Sequence, residues 1–146
     1  MENQIRVVVR AIIIREDEIL LCQPKGTDWY FFPGGGIRFE EGTEDTLRRE
    51  LKEELDAELL ESRFIGVVES TFLENEQRKH EINIVFCVRI NDISLYSHEP
   101  HIVFALKKLK KLDNENVVPT ELKKAVLQWI QNRKTFWIPM NKTTPR

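Results

Sequence analysis

The chain opens on mostly β-branched residues from Ile5 to Ile14, pauses at the polar Arg15-Glu16-Asp17, and resumes an apolar pattern from Glu18 to Cys22. This pattern predicts two strands joined by a turn. A short aromatic run from Trp29 ends with Phe32 before Pro33, and Gly34-Gly35-Gly36 follows at once, leaving backbone groups uncovered by side chains. Thr43 is suited to cap a helix whose first turn carries Glu44 and Asp45, close to the positive end of the helix dipole. Leu47, Leu51 and Leu55 then recur at four-residue spacing and form one apolar stripe. Further strands are expected from Phe64 to Phe72, from Ile82 to Ile90 and from His101 to Leu106, with the charged stretch Glu74 to Glu81 as the turn between the first two. Pro119 and Thr120 open a second helix with Leu122, Ala125, Val126, Trp129 and Ile130 on one face. Strands before, between and after two helices give a mixed α/β or α+β domain.

Length and composition narrow the possibilities. With 146 residues and 41% hydrophobic content, the chain can bury one sizeable core, and a single domain is expected over residues 1–132. The tail, residues 133–146, shows no clear period but contains Phe136, Trp137 and Ile138, which should pack on the domain or on a second subunit, so a homodimer is considered. The 22 Lys and Arg against 24 Asp and Glu leave a net charge of -2, which argues against an extended nucleic-acid partner. Cys22 and Cys87 sit among apolar residues and form no Cys-x-x-Cys pair, so neither zinc nor redox chemistry is indicated. The N-terminal apolar stretch lacks the marks of a signal peptide and is broken by Arg10 and Arg15, so no membrane span is expected and the cytoplasm is the default location.

The candidate chemistry lies on the first helix. At about 100° per residue, Glu50, Glu53 and Glu54 fall within an arc of about 100°, beside the leucine stripe. Like charges at these spacings repel, and Arg49 alone cannot balance them, whereas a divalent cation can. Carboxylate oxygens suit magnesium, with manganese as a substitute, and magnesium commonly bridges to substrate phosphates. An acidic helix face by itself reads more readily as a solvated surface than as a metal site, and a partner-binding surface is a further alternative.

The wider spacing decides between these. The segment GGIRFEEGTEDTLRRELKEELDA resembles the Nudix box, G-x5-E-x7-R-E-U-x-E-E-x-G-U with U apolar, through Gly35, Glu41, Arg49, Glu50, Leu51, Glu53, Glu54 and Ala57. Six of the seven fixed positions agree, which chance would produce in roughly 10⁻⁵ to 10⁻⁴ of such chains. Asp56 stands where the box has glycine, a position just past the helix where Asp tolerates a left-handed backbone better than most residues. Phe32-Pro33-Gly34-Gly35 before the box, and Val68-Glu69 and His80-Glu81 after it, extend the likeness.

The resemblance implies an α/β/α sandwich with a mixed central sheet, and a hydrolase that cuts the pyrophosphate linkage of a nucleoside diphosphate joined to another group, water attacking phosphorus with metal assistance. A fold relative without catalysis is the alternative, although such relatives usually lose box glutamates and this chain keeps all of them. Carried over by position, Glu50 and Glu54 are the metal ligands, with Glu53 as ligand or base and the Gly34 or Gly35 carbonyl facing the metal. Arg49 orients the glutamates and Glu41 supports them from the loop. Glu99 and Glu81 are candidates for a further acid from outside the box, and Gly36, Arg38 and Glu81 for substrate contacts. Trp29, Phe31 and Phe72 read as core aromatics more readily than as stacking surfaces. Markers that some subfamilies carry for ADP-ribose or dinucleoside polyphosphates are missing between Ile65 and Glu81, which favours a small nucleotide as substrate.

Overall fold

The computed structural model describes residues 3–92 and 99–140. Along the chain run β1 (Ile5–Arg15), β2 (Glu18–Pro24), β3 (Gly34–Gly36), α1 (Thr43–Leu55), β4 (Leu59–Glu74), β5 (Gln77–Ile90), β6 (Ile102–Lys108), a 3-10 turn (Leu109–Asn114), α2 (Thr120–Asn132) and β7 (Phe136–Ile138). The sheet order is β6-β2-β1-β5-β4-β7, with β3 pairing β1. It is mixed: β1 with β5 and β4 with β7 are parallel, and the remaining pairs are antiparallel. This is the α+β domain that the pattern predicts, with the mixed sheet that the resemblance implies. No described helix is long and apolar enough to cross a membrane.

Strand alternation builds two cores. Val9, Ala11 and Ile13 of β1 pack with Leu47, Leu51 and Leu55 of α1 on one face of the sheet. Ile12 of β1, Val68 and Val85 pack with Leu122, Val126 and Trp129 of α2 on the other. The three α1 leucines are at most 2% exposed, and each buried leucine is worth roughly 1.5–3 kcal/mol, so the stripe anchors the helix that carries the glutamates.

Two local expectations are corrected, and the tail takes the first of its two expected positions, on the domain. Thr43 is the first helical residue and not the cap: Gly42 takes the N-cap with extended backbone and offers no side-chain bond. The charged stretch Glu74 to Glu81 is mostly strand, because β4 and β5 are joined by only Asn75 and Glu76, both at positive φ (51° and 64°), a tight turn matched to strand twist. Phe136–Ile138 of the tail is a strand beside β4, where Gly66 makes room for it: a Cβ at Gly66 would overlap the Phe136 ring. Asp56, however, adopts the left-handed conformation expected of it (φ 52°), its N–H donating to the Lys52 carbonyl and the following Ala57 N–H to the Leu51 carbonyl.

Candidate active site

The site is assembled where β3, the loop after it and α1 meet. Gly34 lies at φ 141°, where a side chain would strike the Val9 carbonyl, so the tight pairing of β3 with β1 depends on glycine. At Gly35 the missing side chain serves the helix: a Cβ there would overlap the Glu50 carboxylate.

Arg49 organises the acids. Its Nε and Nη2 donate to Glu41 Oε2 and Oε1 at 2.8 and 2.9 Å, its Nη1 donates to Glu50 Oε1 at 3.0 Å and to Glu53 Oε2 at 3.4 Å, and Nη2 also donates to the Gly36 carbonyl at 3.0 Å. All five guanidinium donors are used. Glu41 further accepts from Thr46 Oγ1 at 2.7 Å and from the Arg38 amide at 3.2 Å. The Arg49 bonds first, and the Thr46 bond second, pull the Glu41 carboxyl from its ordinary 4.5 down to about 2. Glu41 is therefore a fixed strut between loop and helix.

Glu54 is the opposite case. It is 5% exposed, its Oε2 has no hydrogen-bond partner, and burial, then the neighbouring Glu50 carboxyl, raise its pKa well above the carboxylate range; the Arg10 charge and the Gly34 amide oppose this only in part. Two abutting carboxyl groups, one with an unpartnered buried oxygen, are matched by a hard divalent cation, which supplies the charge and the missing partner together. The donor set fits magnesium or manganese, although among the described residues no three acidic, histidine or cysteine side chains are already gathered around one point. Glu53 is the outermost of the three helix acids, its side chain 44% exposed between Arg49 and Arg38, the latter 3.8 Å away.

The remaining expected site residues are dispersed. The Gly36 carbonyl is committed to Arg49. Glu99 lies in the exposed turn before β6, where its carbonyl accepts from the Ile102 amide. Glu81 is buried in the floor of a separate cleft, Oε2 accepting from Arg6 at 3.3 Å and Oε1 lying 3.8 Å from Arg10.

That cleft, of about 610 Å³, is the feature the sequence reading missed. Arg6, Arg10 and Glu81 are among its lining residues, as are Trp29, Phe31, Phe72 and Asn116. Trp29, Phe31 and Phe72 are partly buried and line this cleft, and Phe31 also packs against the core on the α1 side, so the expectation that they are core aromatics holds only in part. The available signal was Arg10, a lone cation in an otherwise apolar stretch of strand, which a core position would not tolerate without a purpose.

Comparison with known proteins accords with this geometry. Among solved structures, a MutT protein from Bacillus halodurans superposes with a TM-score of 0.70 at 20% identity, covering 84% of this chain and 82% of that one. A Nudix hydrolase from Nitrosomonas europaea gives 0.71 at 17% identity, covering 97% and 80%, and a UDP-X diphosphatase gives 0.68 at 16%, covering 97% and 69%. At such identities the likeness concerns the fold. No curated protein matches the sequence significantly. The family model described as the NUDIX domain matches residues 4–134, nearly the whole described chain, and the protein belongs to the Nudix hydrolase family.

Proposed function

We propose that the chain hydrolyses the pyrophosphate linkage of a small nucleotide, a nucleoside diphosphate joined to another group, with magnesium or manganese as cofactor. The observation that carries this reading is the unpartnered, buried Glu54 Oε2 beside Glu50, a carboxyl pair costly to the fold unless a cation joins it. Glu50 and Glu54, with Glu53 and the Gly35 carbonyl, would hold the metal, which when bound neutralises the diphosphate and favours attack by water. Arg49 and Glu41 keep the helix acids in register with the glycine strand. Glu53, the most exposed of the three, would serve either as that further ligand or as the base that accepts the proton of the attacking water, with Glu99 a second carboxylate for the latter task. Oxygen of that water bonds to phosphorus as the bridging P–O bond breaks, and the charge so released is that of two phosphate products. Arg38 at the outer rim and Glu81 in the cleft floor would face the substrate.

A panel of nucleoside diphosphates, triphosphates and nucleotide sugars, incubated with the protein and magnesium or manganese at alkaline pH and analysed for products, tests this. One substrate should be cleaved between its phosphates, and Glu53→Gln should lower the rate by about 10² or more. No product from any compound, or an unchanged rate in Glu53→Gln, would sink the proposal.

A further inference from the structure

The aromatic cleft and the glutamate pair meet at one side chain. Arg10 lines the cleft, and across the β3 ladder its Cα partner is Gly34, whose amide acts on Glu54. Its hydrogen bond to the Phe32 carbonyl, two residues before Gly34, keeps the guanidinium beside the glycine strand, and its charge also acts on Glu54. The side chain is 12% exposed, yet its bonding is sparse. Nη1 donates to the Phe32 carbonyl at 3.1 Å, Nη2 stands 3.8 Å from Glu81 Oε1, beyond hydrogen-bond reach, and the guanidinium carbon lies 5.8 Å from the Phe31 ring centroid. Glu81 takes its direct hydrogen bond from Arg6 instead.

A guanidinium carries five donors, and one hydrogen bond leaves most of them unused. Among the described residues the buried side-chain atoms without a partner are Glu54 Oε2 and Asn83 Oδ1, so the spare Arg10 nitrogens are not sealed in the core, and the residue lines the cleft. A mostly buried cation with open donors is a poor device for stability and a good one for an anion, whose oxygens the planar fork meets two at a time. The cleft volume is that of small-molecule sites, about 300–1,000 Å³, and its partly exposed rings suit an organic group attached to that anion.

We propose that Arg10 grips a phosphate group of the substrate at the seam between the aromatic cleft and the Glu50–Glu54 pair, so that the diphosphate is held by protein on one side and by the glutamate-bound metal on the other. The substrate class rests on the proposed function; the anion contact does not. Titration calorimetry with inorganic pyrophosphate, in EDTA so that no divalent ion contributes, isolates it in the full chain. Binding is expected in the wild-type chain, weakened at least about tenfold in Arg10→Ala and at least about threefold in Arg10→Lys, which keeps the charge but loses the fork. Thermal unfolding of each variant establishes that it is folded, and Arg10→Lys decides the matter if Arg10→Ala is not. No binding by the wild-type chain, or equal binding by the folded variants, overturns the assignment. The two readings fail separately: Arg10-dependent anion binding in a chain that hydrolyses nothing removes the enzyme and keeps the contact, whereas hydrolysis with Arg10-independent anion binding does the reverse.

Discussion

Arg49 and Glu41, eight residues apart, form a two-point contact in which Nε and Nη2 of the one meet Oε2 and Oε1 of the other at 2.8 and 2.9 Å. The fork ties the loop after β3 to the middle of α1, and the same guanidinium reaches Glu50 and Glu53. Substituting Arg49 by Ala frees three acids at once. Hydrolysis should fall by about two orders of magnitude, and Arg49→Lys should recover little of it because an ammonium cannot reproduce the fork. Steady-state kinetics on both variants check this, and near-complete rescue by lysine would show that charge alone matters.

Gly35 offers a test based on space. Alanine there would drive a methyl group into the Glu50 carboxylate, although its backbone conformation needs no glycine. Magnesium or manganese affinity, measured by calorimetry, should drop about tenfold or more while the fold survives, since the displaced group is a side chain at the surface of the core. Unaltered metal affinity in Gly35→Ala would remove Glu50 from the ligand set.

The two perturbed carboxyls make stability depend on pH in opposite senses. Glu41 is depressed, so its contribution is present above its ordinary value of 4.5 and is lost as pH falls through about 2. Glu54 is raised, so its contribution is present below 4.5 and is lost as pH climbs toward its elevated folded value. The metal-free protein should therefore lose melting temperature from mildly acidic to alkaline pH, and magnesium should restore it. At neutral pH, metal binding should release a proton from Glu54, visible as a dependence of the calorimetric heat on buffer ionisation enthalpy; a buffer-independent heat would contradict the protonated Glu54.

Asp56→Gly should stabilise the protein. Asp56 holds φ 52° at the end of α1, a conformation glycine adopts more cheaply by about 1 kcal/mol, while the exposed Lys52–Asp56 pair given up contributes only a few tenths of a kcal/mol. A net gain of about 0.5 kcal/mol in chemical denaturation is expected, with kinetics unchanged. Leu51→Ala, by removing a side chain 2% exposed from the stripe beneath the glutamates, should instead cost about 2–5 kcal/mol.

The glutamate half of the site was legible because its geometry is local. Residues 41 to 54 are linked by one helix and one loop, and helical periodicity alone places Glu50, Glu53 and Glu54 beside the leucines. The cleft half was not, because it depends on pairing across distant segments. Arg6 meets Glu81 only because β1 and β5 run parallel with those two residues as Cα partners, and no feature of either segment announces the other. The misplaced turn at Glu74 to Glu81 has a related cause. Charge on the exposed side of a hairpin resembles loop composition, and Asn75-Glu76 reaches positive φ without the glycine that would have marked it. Thr43 failed as a cap by a single position, where Gly42 holds the required extended backbone.

The two-residue turn at Asn75–Glu76 separates what descent must preserve from what it can vary. Leu73, Glu74 and Asn75 sit on the rim of the cleft at the tip of the β4–β5 hairpin, whereas the glutamates sit on α1. An insertion or deletion at that tip reshapes the rim with little entropic penalty and leaves the Arg49 fork untouched. A lineage built on this chassis can exchange one clientele for another through the hairpin while inheriting its reactive centre intact.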